Sequence, residues 1–211
     1  MILSTAYAPP VQYFCKLLSP DVLLEAHDFF IKQTYRNRCR VLASNGVSEL
    51  TIPVQQGASE RCPIKEVRIS DHDNWRTRHW QTLQSCYGLS PYFEYYADDI
   101  APFYTQRYTF LFDFNYELMH CIARLMHFSL DVTLTEVYSK EYWEDFRNAI
   151  RPKKPIEDPY FVPVRYYQTL SSREDFYPNL SIFDLLFNKG PEGILVLQKS
   201  VMLPDIKLEN I

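Results

Sequence analysis

The residues of this 211-residue chain best suited to chemistry are concentrated between positions 24 and 54. His27 and Asp28 stand side by side there. They interrupt residues 22–31, a run otherwise apolar apart from Glu25, and so place two titratable groups at the mouth of an expected strand. An imidazole beside a carboxylate can accept and return a proton near neutral pH, and the same pair can equally be a satisfied structural contact. Downstream, residues 35–41 alternate with the strand period. That spacing predicts Arg36, Arg38 and Arg40 on one face and Tyr35, Asn37, Cys39 and Val41 on the other. Guanidiniums sharing a face form either a solvated strand surface or a fork of donors for a carboxylate or phosphate.

These groups need elements to position them. Residues 2–8 read as a short strand ending at Pro9-Pro10, and residues 11–18 as a helix with Val11, Phe14, Leu17 and Leu18 on one side. With a strand over 22–31 this makes a βαβ-like opening, in which the turn from Tyr7 to Pro10 and the His27-Asp28 pair fall at neighbouring strand ends. Asn45-Gly46, between Val41-Leu42 and the run 50–54, predicts a hairpin, since both residues tolerate the positive φ of tight turns. Residues 65–69 are read as another strand. A helix over 74–87 then carries Trp75, His79, Leu83 and Tyr87 on one face; a histidine in such a stripe is more often packed than ligating, which ranks His79 second. A long helix over 108–128 has Leu111, Phe114, Leu118, Ile122 and Leu125 as its core stripe, with Glu117, His120, Arg124 and His127 on the other side. Residues 131–138 predict a strand, and the prolines of 151–163 an extended surface segment. Ser181 caps a last helix that stops at Asn188 to Pro191, and Asp184 sits among its apolar residues. A buried acid needs a partner, and the arginines near Asn37 are candidates.

Composition bounds the function. Hydrophobic residues at 46% and charged residues at 23% are ordinary for a globular chain, whereas 16% aromatic residues point to an aromatic core and cleft. A formal net charge of −4 and a pI near 5.7 argue against nucleic acid as a partner. The five cysteines are scattered without CxxC or Cys/His metal spacing, which reads as reduced thiols and no metal site. There is no GxGxxG or GxxxxGKS fingerprint, no apolar membrane span and no secretory leader pattern, so a soluble cytoplasmic protein is expected. The expected class is α/β: one domain over 1–211 with a mixed β-sheet, built from the βαβ-like unit and the hairpin and flanked by helices.

The chain resembles the WbqC-like proteins of bacteria. The resemblance rests on Tyr7-Ala8-Pro9 followed by Gln12-Tyr13-Phe14, on Tyr35-Arg36-Asn37-Arg38 with Leu50-Thr51-Ile52-Pro53-Val54, and on Trp80 before Tyr87 and Pro91-Tyr92-Phe93. Its most specific block is Asn179-Leu180-Ser181-Ile182-Phe183-Asp184-Leu185-Leu186-Phe187-Asn188-Lys189-Gly190-Pro191. Where many members open with His-Gln-Pro or Gln-Pro, this chain has Thr5-Ala6-Tyr7. The resemblance implies transfer of an amino acid or acyl group, such as glycine, in O-antigen or other surface-polysaccharide synthesis, and leaves the cofactor unknown. On that reading His27 is the base and Asp28 its orienter, with Asn37 or Arg38 as oxyanion donors. Tyr7, Tyr35, Asn37, Arg38, His79, Asp184 and Asn188 are expected to line a site for an activated, anionic small molecule. The rival expectation is a non-catalytic anion-binding or protein-interaction module using the same arginines.

Overall fold

Two short apolar strands open the chain, and both lack alternation because both of their faces are covered. They are β1 (Ile2–Ser4) and β2 (Val22–Glu25), with α1 (Val11–Lys16) between them in a computed structural model that describes residues 1–55, 62–172 and 174–202. β3 (Arg38–Ala43) and β4 (Gly46–Thr51) form an antiparallel hairpin in which Ala43 faces Gly46, and Gly46 has φ +107°. The helices are α2 (Trp75–Tyr87), α3 (Phe93–Ile100), α4 (Pro102–Thr105) and α5 (Leu111–Leu125). β5 (Val132–Leu134) precedes the last pair, α6 (Ile182–Lys189) and α7 (Gly193–Ser200). β2 lies between β1 and β5, parallel to both, so the carboxyl ends of these strands share one edge. The class is therefore α/β: a parallel sheet, a separate hairpin, and helices around them.

One hydrophobic cluster joins these elements. It runs from Leu3 and Phe14 through Trp75, Phe114 and Ile122 to Phe183 and Phe187, so each predicted helical stripe meets it. Ser181 caps α6 by accepting the Phe183 amide, as its position before the apolar run implies.

Several elements are shorter than the pattern suggests. β2 stops at Glu25, not Ile31, because side chains replace the backbone ladder there: the Ala26 amide donates to Thr135 Oγ1 at 3.0 Å and the His27 amide to Glu25 Oε1 at 2.8 Å. β3 begins at Arg38, so Arg36 lies outside the alternation and is buried, while Arg38 and Arg40 stay half-buried on a common face. Residues 65–69 are not a regular strand. A 3-10 turn (Ile64–Glu66) follows Pro63, and beyond it only single bridges form, Val54 to Ile69 and Arg68 to Phe110.

Candidate functional site

The carboxyl edge of a parallel sheet is where open α/β folds build ligand sites, because loops diverge there and leave a crevice. In this protein that edge carries His27. Its ring is exposed, and Nε2 lies 3.1 Å from the Thr135 carbonyl. A carbonyl only accepts, so Nε2 carries the proton of the neutral ring and Nδ1 carries the lone pair. The carboxylate of Asp28 is turned elsewhere: Oδ1 accepts the Phe29 amide at 2.7 Å and Oδ2 accepts Arg36 Nη2 at 2.8 Å. The main-chain carbonyl of Thr135, not Asp28, is thus the orienting partner of His27.

Next to His27, Glu25 is fully buried and receives both Thr135 Oγ1, at 2.9 Å, and Arg147 Nη1, at 3.0 Å. Burial alone would raise the carboxyl of Asp145, but the hydrogen bonds and charge of Arg147 outweigh it and hold Asp145 below the usual carboxylate range. The hydrogen bonds that Arg147 donates to Asp145 raise its guanidinium against the pull of burial. Arg36 is the opposite case, its pKa lowered by burial with Asp28 opposing.

The remaining residues singled out in the sequence fall into other hydrogen-bonded groups. Tyr7 and His79 meet: Tyr7 Oη is 3.0 Å from His79 Nδ1 and 2.8 Å from Tyr104 Oη, all buried and packed around Trp75 and Phe114. Burial, aided by Arg78, pushes His79 down to about 4, so it is neutral at pH 7 and serves as an acceptor within the core. Tyr35 joins this region through its carbonyl, which accepts the Tyr7 amide at 2.8 Å, and its phenol is hydrogen-bonded to Arg40. Asn37 donates Nδ2 to the Ile52 carbonyl at 2.8 Å, stitching the base of the hairpin. Arg38 pairs with Glu49 across the hairpin at 3.1 Å, a half-exposed pair worth little by itself. Arg36, Arg38 and Arg40 therefore do not converge into a fork, since each already has its own partner.

Asp184 and Asn188 sit one turn apart on α6, both buried. Tyr166 Oη and Gln168 Nε2 donate to Asp184 Oδ2 at 2.7 and 2.8 Å, and Asn188 Oδ1 accepts the amide and hydroxyl of Thr169 at 3.0 and 2.8 Å. The partners of Asp184 are thus neutral donors and not the arginines near Asn37. Burial pushes its carboxyl up to about 6.

A model of the WbqC-like protein family matches residues 5–152, which takes in the sheet edge, the hairpin and α2 to α5. The chain belongs to this family. The uncharacterized protein Rv1507c of Mycobacterium tuberculosis strain H37Rv is 27% identical over 218 aligned residues, covering 91% of this chain and 94% of its own. No solved structure matches. Neither comparison carries a reaction with it, so the chemistry must be argued from the side chains. Among the described residues no helix is long and apolar enough to cross a membrane, and no group of three or more His, Cys, Asp and Glu is gathered to hold a metal ion.

Sequence reasoning missed Arg147, Thr135 and Tyr104. Glu25 carried a readable signal, since a lone acid within an apolar strand must find a cation or a set of donors. Arg147 carried none, because it lies 122 positions from the carboxylate it neutralises.

Proposed function

We propose that this WbqC-like protein is a cytoplasmic transferase that moves an acyl or aminoacyl group, glycine among the candidates, from an activated donor during surface-polysaccharide synthesis, with His27 as its base. The observation that supports this reading is a single one: at the carboxyl edge of the sheet an exposed imidazole spends Nε2 on a backbone carbonyl and keeps Nδ1 as a lone pair. A base must have an unprotonated nitrogen in reach of solvent-borne substrate, and this one has it. In the reaction, Nδ1 takes the proton of an acceptor hydroxyl or amine as that oxygen or nitrogen bonds to the acyl carbon. The bond to the donor's leaving group then breaks, and the leaving group departs with the proton held by the imidazolium. The residues include no nucleophile motif, which favours direct transfer over a covalent enzyme intermediate.

A second reading has its own support. Arg36, Arg38 and Arg147 are each already paired with a carboxylate, so they do not form an open anion clamp, and the half-exposed Arg38–Glu49 pair on the hairpin is the part of this set that a protein partner could meet. Turnover separates the two. Incubating the protein with acyl thioesters or nucleotide-activated donors and an amine or alcohol acceptor should give transfer in the native chain and none with His27→Gln. Equal turnover in both would remove His27 from the chemistry, and no turnover with any donor would favour the interaction module.

A further inference from the structure

Beyond the ends of β2 and β5 the backbone ladder gives way to a closed circuit of hydrogen bonds. The Ala26 amide donates to Thr135 Oγ1 at 3.0 Å, and that hydroxyl donates to Glu25 Oε1 at 2.9 Å. The same carboxylate oxygen receives the His27 amide at 2.8 Å, and His27 Nε2 returns to the Thr135 carbonyl at 3.1 Å. Each donor in the ring has one acceptor, so turning any member strands another.

Arg147 anchors the circuit. Its Nη1 reaches Glu25 Oε2 at 3.0 Å and the Ser139 carbonyl at 2.8 Å, its Nε is shared between the two oxygens of Asp145 at 3.0 and 3.1 Å, and its Nη2 reaches Asp145 Oδ2 at 2.6 Å and the Lys140 carbonyl at 3.3 Å. The rings of Tyr138 and Tyr142 lie 5.2 and 5.1 Å from the guanidinium carbon. An arginine with all of its N–H groups committed has none to offer a substrate anion, which leaves holding Glu25 as its work. A plain buried ion pair would occupy one carboxylate oxygen. Here the other oxygen is given to the hydroxyl and the amide that fix the backbone at His27.

Resting on the reading of His27 as the base, we propose that Glu25, Thr135 and Arg147 are positioning residues that lock His27 in its Nε2–H tautomer, and that the substrate group meeting Nδ1 is a protic nucleophile, a hydroxyl or an amine. A ring whose Nδ1 is an acceptor repels the lone pairs of a carboxylate or phosphate and welcomes an O–H or N–H. The donor's anionic part therefore binds away from this nitrogen.

The test is a long-range proton–nitrogen spectrum of the histidine rings in the 15N-labelled full chain at pH 8, with the His27 signals assigned by their loss in His27→Gln. The native protein should show His27 as one Nε2–H tautomer with an observable ring proton. Thr135→Val removes Oγ1 and keeps the carbonyl; it should lose that proton signal and average the two ring nitrogens, while Thr135→Ser restores the native pattern. Thr135→Ala serves if the valine variant does not fold, and unchanged signals from the buried His79 verify folding. Averaged tautomers in the native protein, or a native pattern in a folded variant lacking Oγ1, would overturn the proposal. Loss of the base role would appear separately, as native turnover in His27→Gln.

Discussion

His27 and Asp184 are the two residues whose roles are most sharply separated by their surroundings. His27 is exposed and bonded through one ring nitrogen, so His27→Gln should leave stability within about 0.5 kcal/mol while lowering turnover by about 10²- to 10⁴-fold. Denaturant unfolding beside the transfer assay checks both halves. Asp184 is buried among neutral donors, and its folded pKa of about 6 lies above its ordinary value of 3.8. The folded state therefore binds this proton more tightly, and the contribution of Asp184 to stability rises as pH falls from 7 through 6 toward 4. A shift of this size corresponds to about 3 kcal/mol across that window. Urea unfolding of the native protein and Asp184→Asn should show the difference between them moving in favour of the native protein as pH drops from 7.5 to 5. A difference independent of pH would mean that Asp184 is not titrating there. At this scale the sequence displayed which residues were out of place, His27, Asp28, Glu25 and Asp184, but not their partners. Partners such as Thr135 and Arg147 are supplied by chain segments more than a hundred positions away, and no local period encodes them.

Helices and the hairpin were legible because their signals are local. The stripe of Trp75, His79 and Leu83 turns inward on α2, and Asn45-Gly46 marks the hairpin turn, with Gly46 the residue at positive φ. Gly46 has open space around its missing Cβ, so Gly46→Ala carries backbone strain alone, about 1–3 kcal/mol. Gly190, at φ +55°, has the Tyr92 ring where a Cβ would stand, 2.5 Å from its nearest carbon. Gly190→Ala should therefore be the more damaging of the two by chemical denaturation, and the reverse order would contradict the packing of Tyr92 against the end of α6. Strand ends were not legible. Periodicity cannot show that β2 yields to side-chain bonds at Glu25, since that depends on where β5 and Arg147 come to lie. The side chains of Glu25 and Arg147 are 0% and 4% exposed, and removing the arginine leaves a buried carboxylate without its counter-ion, held only by the Thr135 hydroxyl and the His27 amide. Arg147→Met should cost about 3–5 kcal/mol. A loss under 1 kcal/mol would mean that water reaches Glu25.

Over the whole molecule, the parallel sheet brings its three carboxyl ends to one edge, and the hairpin, α2 and α6 carry hydrogen-bonded groups of their own. The most specific motif of the sequence, around Asn179 to Pro191, works as a joint: Asn179 Oδ1 takes the Gln12 amide, Ser181 Oγ donates to the Ala8 carbonyl, and Asp184 and Asn188 bind residues 166–169. The block lies beyond residues 5–152, where the family model matches, and its contacts are those of assembly. Under the proposed transferase reading, the chemistry falls to the sheet edge. The most direct measurement is thermal stability of the native protein and His27→Ala against a panel of acyl thioesters, nucleotide-activated donors and free amino acids, since a ligand that binds the folded state raises its apparent stability. A free amino acid or other amine acceptor that meets Nδ1 should raise the stability of the native protein, and that rise should shrink or disappear in His27→Ala, while a rise with a donor class should persist in both. An equal rise with the acceptor in both proteins would contradict the base role, because the nucleophile would then bind somewhere other than the edge that His27 occupies.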